Sequence, residues 1–283
     1  MTVSKLPITV QGLRKSYGSR EVLQGVDLDV RAGEVFSLLG PNGAGKTTTV
    51  EILTGHRRRD RGRVEVLGQD PEHAGLSWRV EIGVVLQEVR DAEQLTVAEI
   101  VHHYARYYPS PYRPDDVIAR VGLTESAGVR LLALSGGQRR RLDVALGIVG
   151  RPRLLFLDEP TTGFDPEARR QFWDIIRALR GDTTILLTTH YLDEAEALAD
   201  RVGVISAGRL VSVGSPAELG GRASAPAEVR WLDGSAPRAV TTADPAGVVM
   251  ELSRHFGGPV PGLTVVRPSL EDIYLDLIGD TPS

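Results

Sequence analysis

A chain of 283 residues suffices for one large domain or two modest ones, and 41% hydrophobic with 25% charged content is ordinary for a globular protein. A net charge of −4 supplies no global positive field, so neither nucleic acid nor an anionic lipid surface is expected as a partner. The lack of cysteine excludes disulfides and thiolate metal sites, and no run approaches the roughly 20 apolar residues of a membrane-spanning helix.

Met1–Pro7 holds no apolar core of signal-peptide length, and without a spanning run the chain alone is expected to be neither a channel nor a carrier. Ile8-Thr9-Val10 and Val22–Val30 alternate apolar and polar residues, which predicts antiparallel strands with one solvated face. Lys15-Ser16-Tyr17-Gly18 reads as the loop between them, where Tyr17 is either a corner-packing residue or a stacking platform for a base. The apolar run Val35–Leu39 predicts a buried strand, and Thr49–Leu53 a helix. Between them lies Gly40-Pro41-Asn42-Gly43-Ala44-Gly45-Lys46-Thr47-Thr48, a G-x-x-x-x-G-K-[ST] match in the strand–loop–helix context that makes it informative. Glycines let the loop adopt positive φ and aim successive N–H groups at one centre, where the helix N-terminus adds partial positive charge. Lys46, one of three lysines in an arginine-rich chain, is placed to reach β- and γ-phosphates, and the Thr47 hydroxyl to ligate Mg²⁺.

Arg57 to Arg63 is turn-rich, with Arg57-Arg58-Arg59 read as a solvated charge run. Val64–Leu67 predicts a short strand closed by Gly68, and Ile82–Leu86 a buried strand ending at Gln87. Gln87 is either a plain strand terminator or a polar group where open α/β sheets bind ligands. Residues 88–150 read as helical. Thr96 and Glu99 form a capping box, and the helix they open carries Ile100, Val101, Tyr104, Tyr107 and Tyr108. A second helix is expected from Asp115 to Val121, and a third from about Arg139 to Val149. Before the third, Leu134-Ser135-Gly136-Gly137-Gln138 is a helix cap or a second anion-binding nest.

Arg153–Pro160 predicts a buried strand that delivers Asp158 and Glu159 to its C-terminal end. Side chains alternate along a strand, so the two acids face differently and can hold different tasks. Two unpaired buried ions would cost several kcal/mol each, which argues for a metal or a reaction nearby. A turn, Thr161–Pro166, leads into an amphipathic helix at 167–180; a buried strand, Thr184–Thr189, ends at His190; a helix at 191–200 and a hairpin-like pair at 202–213 follow. Strand and helix therefore alternate from about residue 34 to 213, an α/β pattern. Gly220–Pro226 reads as a linker. Beyond it come strand-like Glu228–Leu232, Arg238–Thr242 and Thr264–Val266, with helix-like Pro245–His255 and Leu270–Leu277. About sixty residues are marginal as an isolated fold, so this part is expected to pack on the main domain or a partner.

Together these segments resemble the nucleotide-binding domain of an ABC transporter over roughly residues 5–220. The phosphate loop is Gly40–Thr48, the glutamine loop Gln87, the signature Leu134–Gln138, the Mg²⁺ strand Leu154–Asp158 followed by Glu159, the D-loop Gly163-Phe164-Asp165 and the switch histidine His190. The resemblance implies a P-loop NTPase ABC ATPase core with an antiparallel β subdomain and an α-helical subdomain at about 88–150, all within residues 1–220. Residues 221–283 are then a linker and a small α+β accessory domain. It implies ATP and Mg²⁺ as cofactors. Tyr17 falls where the family stacks an aromatic on adenine; Asn42, Gly43, Gly45, Lys46, Thr47 and Thr48 fall where it cradles phosphates. Thr47, Gln87 and Asp158 take the metal positions, and Glu159, His190, Gln87 and Lys46 the catalytic ones. Ser135, Gly136, Gly137 and Asp165 would act on nucleotide held by a second copy in a head-to-tail dimer. The dimer would drive separate transmembrane permease subunits from the cytoplasmic face of the cell membrane.

Pro268–Leu277 resembles the C-terminal extension of ATPase subunits in the drug-resistance and polysaccharide-type exporter group, while Phe164 departs from the usual D-loop leucine or alanine. The tyrosines of 88–150 either line a docking surface or pack in a core. The alternative, an ABC-type ATPase acting on ribosomes or DNA, is disfavoured by the single cassette and the acidic balance.

Overall fold

The computed structural model describes residues 6–85 and 93–279. Alternating burial sets β1 (Ile8–Tyr17) against β2 (Arg20–Val30) as an antiparallel hairpin. The strands are longer than the alternation alone implies, so Tyr17 ends β1 rather than sitting in a loop, and only Gly18-Ser19 turns the chain. β3 (Val35–Leu39) is buried at all positions and leads through Gly40–Gly45 into α1 (Lys46–Leu53). β4 (Arg61–Val66) returns to β1, completing a sheet of order β2-β1-β4. After the short α2 (Leu76–Arg79) comes β5 (Ile82–Val85). Leu86 and Gln87 lie outside the described residues.

Three helices follow: α3 (Val97–Ala105), α4 (Pro114–Arg120) and α5 (Gly136–Ile148). The Thr96–Glu99 capping box is present with both reciprocal hydrogen bonds. α3 stops at Ala105, so Tyr107 and Tyr108 lie beyond it, short of Pro109, which cannot continue a helix. Tyr104 and Tyr108 pack on the core, whereas Tyr107 is 65% exposed. α5 starts three residues before the expected Arg139, because Ser135 is its cap.

Next are β6 (Leu154–Asp158), α6 (Pro166–Leu179), β7 (Thr184–Thr189), α7 (Leu192–Leu198), β8 (Arg201–Ser206) and β9 (Arg209–Gly214). The central sheet runs β5-β6-β7-β3-β8-β9, parallel except for β9. Strand alternation sorts its side chains onto two faces. Leu155, Leu157, Ile185 and Leu187 join the core under the helices; Leu154, Phe156 and Leu186 join the core that faces the antiparallel sheet. Burial on both faces explains why these strands read as continuous apolar runs. Register puts Leu39 beside Thr189 and Asp158 beside Thr188. The phosphate loop, the acidic pair and His190 therefore leave adjacent strands at the same, C-terminal edge, where open α/β sheets bind ligands.

Leu219–Ser224 is not an open linker: it forms 3₁₀ turns with Gly220 and Gly221 at φ 57° and 79°. Arg222 ties this segment to the Pro268 carbonyl at 3.0 Å and to Glu196 at 2.7 Å. β10 (Ala227–Asp233), β11 (Ala236–Thr242), α8 (Pro245–Phe256), β12 (Thr264–Val266) and α9 (Leu270–Gly279) complete the chain. The three strands pair antiparallel in the order β11-β10-β12. Leu270 and Tyr274 of α9 pack with Leu39, Ala195 and Val204, so the tail closes onto the main sheet and α7.

Candidate nucleotide site

Two glycines fix the loop after β3. A Cβ on Gly40 would sit 2.3 Å from the Ile205 carbonyl oxygen, and one on Gly45, at φ 108°, 2.5 Å from Leu23 Cδ2. α1 then opens at Lys46 with no side-chain cap and no acid in its first turn. Its leading N–H groups are left for an anion, with the helix dipole behind them. Lys46 is 4% exposed; Nζ donates to the carbonyls of Gly40 at 2.8 Å and Pro41 at 3.1 Å, and lies 3.0 Å from Glu159 Oε1. A cleft of about 370 Å³ is lined by Tyr17, Asn42, Gly43, Gly45, Lys46, Thr47, Thr48 and Glu159, together with Arg20 and Val22 of β2. Tyr17 is 40% exposed at the cleft wall, its hydroxyl 3.5 Å from Thr48 Oγ1. The Arg57 guanidinium lies 5.1 Å from the centre of the Tyr17 ring and is held there by Glu51. Arg58 and Arg59 also pair with acids, so this run is a set of ion pairs and not a purely solvated face.

Asp158, 2% exposed, accepts from the Thr188 hydroxyl at 2.5 Å. Glu159 adopts φ 45°, and its N–H donates to the Thr188 hydroxyl at 3.0 Å and carbonyl at 3.1 Å. A left-handed non-glycine residue is strained, and such strain clusters at functional sites. Oε2 of Glu159 accepts from Thr162 at 3.3 Å and lies 3.3 Å from His190 Nδ1, off the angle a hydrogen bond requires. Burial works to raise the Glu159 carboxyl, but the hydrogen bond and charge of Lys46, then His190 and Thr162, overcome it and hold the group below its ordinary value. Glu159 is thus an anion at neutral pH, poised to accept a proton.

A second cleft, of about 730 Å³, is lined by Ser135, Gly136, Gly137, Glu159 and Phe164–Asp165 among others. Ser135 is a cap: its hydroxyl accepts from Gln138 N at 3.2 Å, and Gln138 Oε1 answers at 2.9 Å. Asp165 likewise caps α6, accepting from Glu167 N and Ala168 N. A Cβ on Gly136 would meet nothing within 4 Å, and one on Gly137 only Ala168 Cβ at 3.8 Å. Packing within this chain therefore does not require those glycines. The structure brings Tyr17, Asn42, Gly43, Gly45, Lys46, Thr47, Thr48, Asp158, Glu159 and His190 together. It sets Ser135, Gly136, Gly137 and Asp165 in the other cleft, with Glu159 on both.

Sequence reasoning missed three residues. Thr188 braces both acids and was discoverable only from strand register. Glu194, fully buried on α7, accepts from Thr161 and Trp173. Arg140, buried on α5, donates to the carbonyls of Asp158, Glu159 and Pro160. Its signal was a charge at i to the buried Val144 at i+4.

The ABC transporter family profile matches residues 23–162. A daunorubicin resistance ATP-binding protein of Streptomyces coeruleorubidus is 37% identical over 96% of each chain. The chain belongs to the ABC transporter family. A Nod factor export ATP-binding protein I of Ralstonia nicotianae is 42% identical over 75% of this chain and 68% of that protein. The solved ATP-binding subunit of an ABC transporter superposes with a TM-score of 0.71 over 96% of this chain and 99% of its own, at 22% identity, which speaks to the fold. CbiO1 of Clostridium perfringens superposes at 0.68 with 27% identity, over 75% of this chain and 90% of its own. This ABC protein is an ATP-binding, ATP-hydrolysing transporter subunit. Among its described residues no helix is long and apolar enough to cross a membrane.

Proposed function

We propose that two copies of this ATPase close head to tail around ATP and thereby power export through separate transmembrane subunits at the cytoplasmic face of the cell membrane. The observation that carries the reading is the division of the site: phosphate-loop residues line one cleft and Ser135–Gly137 another, and a second copy would bring the two kinds together on one nucleotide. Glycines that packing leaves unexplained at the start of α5 suit close approach by a phosphate from outside the chain. Export is the direction because relatives are named for drug resistance and for Nod factor export.

Tyr17 stacks on the base, and the phosphate loop with the α1 N-terminus takes the phosphates. Lys46 Nζ, 3.0 Å from Glu159 Oε1, lies between the carboxylate and the phosphate cleft it lines, so it serves the β- and γ-phosphates while Glu159 orients and deprotonates a water. His190, beside the other carboxylate oxygen, reaches toward the γ-phosphate.

The residues fit Mg²⁺: Asp158 is a buried carboxylate at the strand end and Thr47 lines the phosphate cleft. No cluster of three or more His, Cys, Asp or Glu placed to hold a metal occurs among the described residues. Held by Asp158 and Thr47, the ion would supply charge neutralisation to the phosphates. Gln87 takes its proposed metal-sensing role from its position after β5.

The test is co-expression with the products of the adjacent reading frames and reconstitution in vesicles. Mg²⁺–ATP-dependent efflux that needs both chains supports the reading. Co-purification with ribosomes or nucleic acid, without a membrane partner, overturns it.

A further inference from the structure

The turn that carries Glu159 has a chemical problem that one side chain solves. Past Asp158 the chain leaves the sheet, and the positive φ of Glu159 gathers the carbonyls of residues 158–160 toward α5. Buried carbonyls need donors. Arg140 reaches all three: Nε donates to Pro160 O at 2.8 Å, and Nη2 to Asp158 O at 3.1 Å and to Glu159 O at 3.3 Å, the last shared with the Thr162 N–H. Only a guanidinium offers several donors in a rigid plane; an ammonium is a compact point donor. Burial of the cation lowers its pKa, and Asp143, 3.6 Å away on the same helix, offsets part of that cost.

We propose that Arg140 is a positioning residue for ATP hydrolysis, setting the strained turn from which Glu159 reaches the γ-phosphate. The inference rests on the reading of Glu159 as the carboxylate that activates water. It goes further by tying that carboxylate to α5. The helix begins at the Ser135 cap, and Arg140 follows little more than one turn later. One rigid element thus carries both the residues that would grip a second copy's nucleotide and the grip on this chain's own catalytic turn. Engagement at Ser135–Gly137 is felt at Glu159 through the guanidinium, which acts by holding the turn's carbonyls.

The experiment compares wild type, Arg140→Lys, Arg140→Ala and Glu159→Gln of the full chain, measuring steady-state ATPase, ATP affinity and thermal unfolding. Small misplacement of a catalytic group costs up to about 100-fold, so Arg140→Lys is expected to lower kcat about 10–100-fold. KM and ATP affinity are expected to stay within about twofold, since a transition-state interaction alone is lost. Millimolar guanidinium is expected to restore part of the turnover of Arg140→Ala and nothing to Glu159→Gln. Undiminished kcat in Arg140→Lys beside an inactive Glu159→Gln overturns this inference and leaves the site reading standing. A parallel fall of kcat, ATP affinity and melting temperature, without guanidinium rescue, overturns it by making Arg140 a packing residue. Full turnover in Glu159→Gln overturns the site reading on which it depends.

Discussion

Asp143→Asn should change how stability depends on pH, and the sign follows from burial. Asp143 lies on α5 beside Arg140, and burial pushes its carboxyl from 3.8 up to about 6 against the pull of the Arg140 and Arg139 charges. The folded chain therefore holds a proton between about pH 4 and 6 that the unfolded chain releases. More protons bound in the native state means that stability falls as pH rises through this window, opposite to a salt-bridged acid whose pKa is depressed. A displacement of about two pH units corresponds to about 3 kcal/mol, of which about 2 kcal/mol is expressed between pH 4.5 and 8. Replacement by Asn removes the titration but keeps the shape. Urea unfolding of both proteins across that range should show wild type losing about 2 kcal/mol relative to the variant, levelling above about pH 7. Parallel stability curves would refute the reasoning, because they would mean that Asp143 titrates alike in the folded and unfolded chain.

The other predictions concern the two clefts and their support. Gly40→Ala drives a Cβ to 2.3 Å from the main-chain oxygen of Ile205, so it should cost about 1–3 kcal/mol or more in thermal unfolding; an unchanged Tm would contradict the close approach. Tyr17→Ala should weaken ATP binding by about 1–3 kcal/mol in calorimetry with kcat nearly unchanged, and equal affinity would remove Tyr17 from the base site. Trp78→Phe removes the 2.8 Å indole hydrogen bond to the Val66 carbonyl, which keeps the Gln69 N–H at 3.1 Å, and should cost about 0.5–1.5 kcal/mol, measured by urea unfolding.

The chemistry of the phosphate site is legible in the sequence because it is local. Gly40–Gly45 joins a buried strand to a helix that opens at Lys46, which is the strand–loop–helix order the motif's spacing predicts. Buried parallel strands read as apolar runs for the same reason they are buried, coverage on both faces. What the sequence hides is contact across elements. Thr188 looks like any strand threonine until β7 is laid beside β6, and Arg140 like one of three surface arginines until α5 is turned against the Glu159 turn. Tyr17 looks like a loop residue because a two-residue turn leaves little signal, and α3 has no glycine to mark its end at Ala105. The compact 3₁₀ turns at Leu219–Ser224 read as a linker because Gly220 and Gly221 serve left-handed φ, not flexibility, where α9 comes so close that a Cβ on Gly220 would lie 2.6 Å from Ile273.

The central claim is that nucleotide joins two copies of this chain and that Glu159 parts them by cutting it. The most direct measurement is the mass of Glu159→Gln in solution with ATP and Mg²⁺, by light scattering after size exclusion, beside wild type with ATP hydrolysed to ADP. The account predicts a stable dimer for the variant with ATP and monomers for wild type with ADP. A variant that stays monomeric under saturating ATP, or that still hydrolyses it at the wild-type rate, would contradict the account.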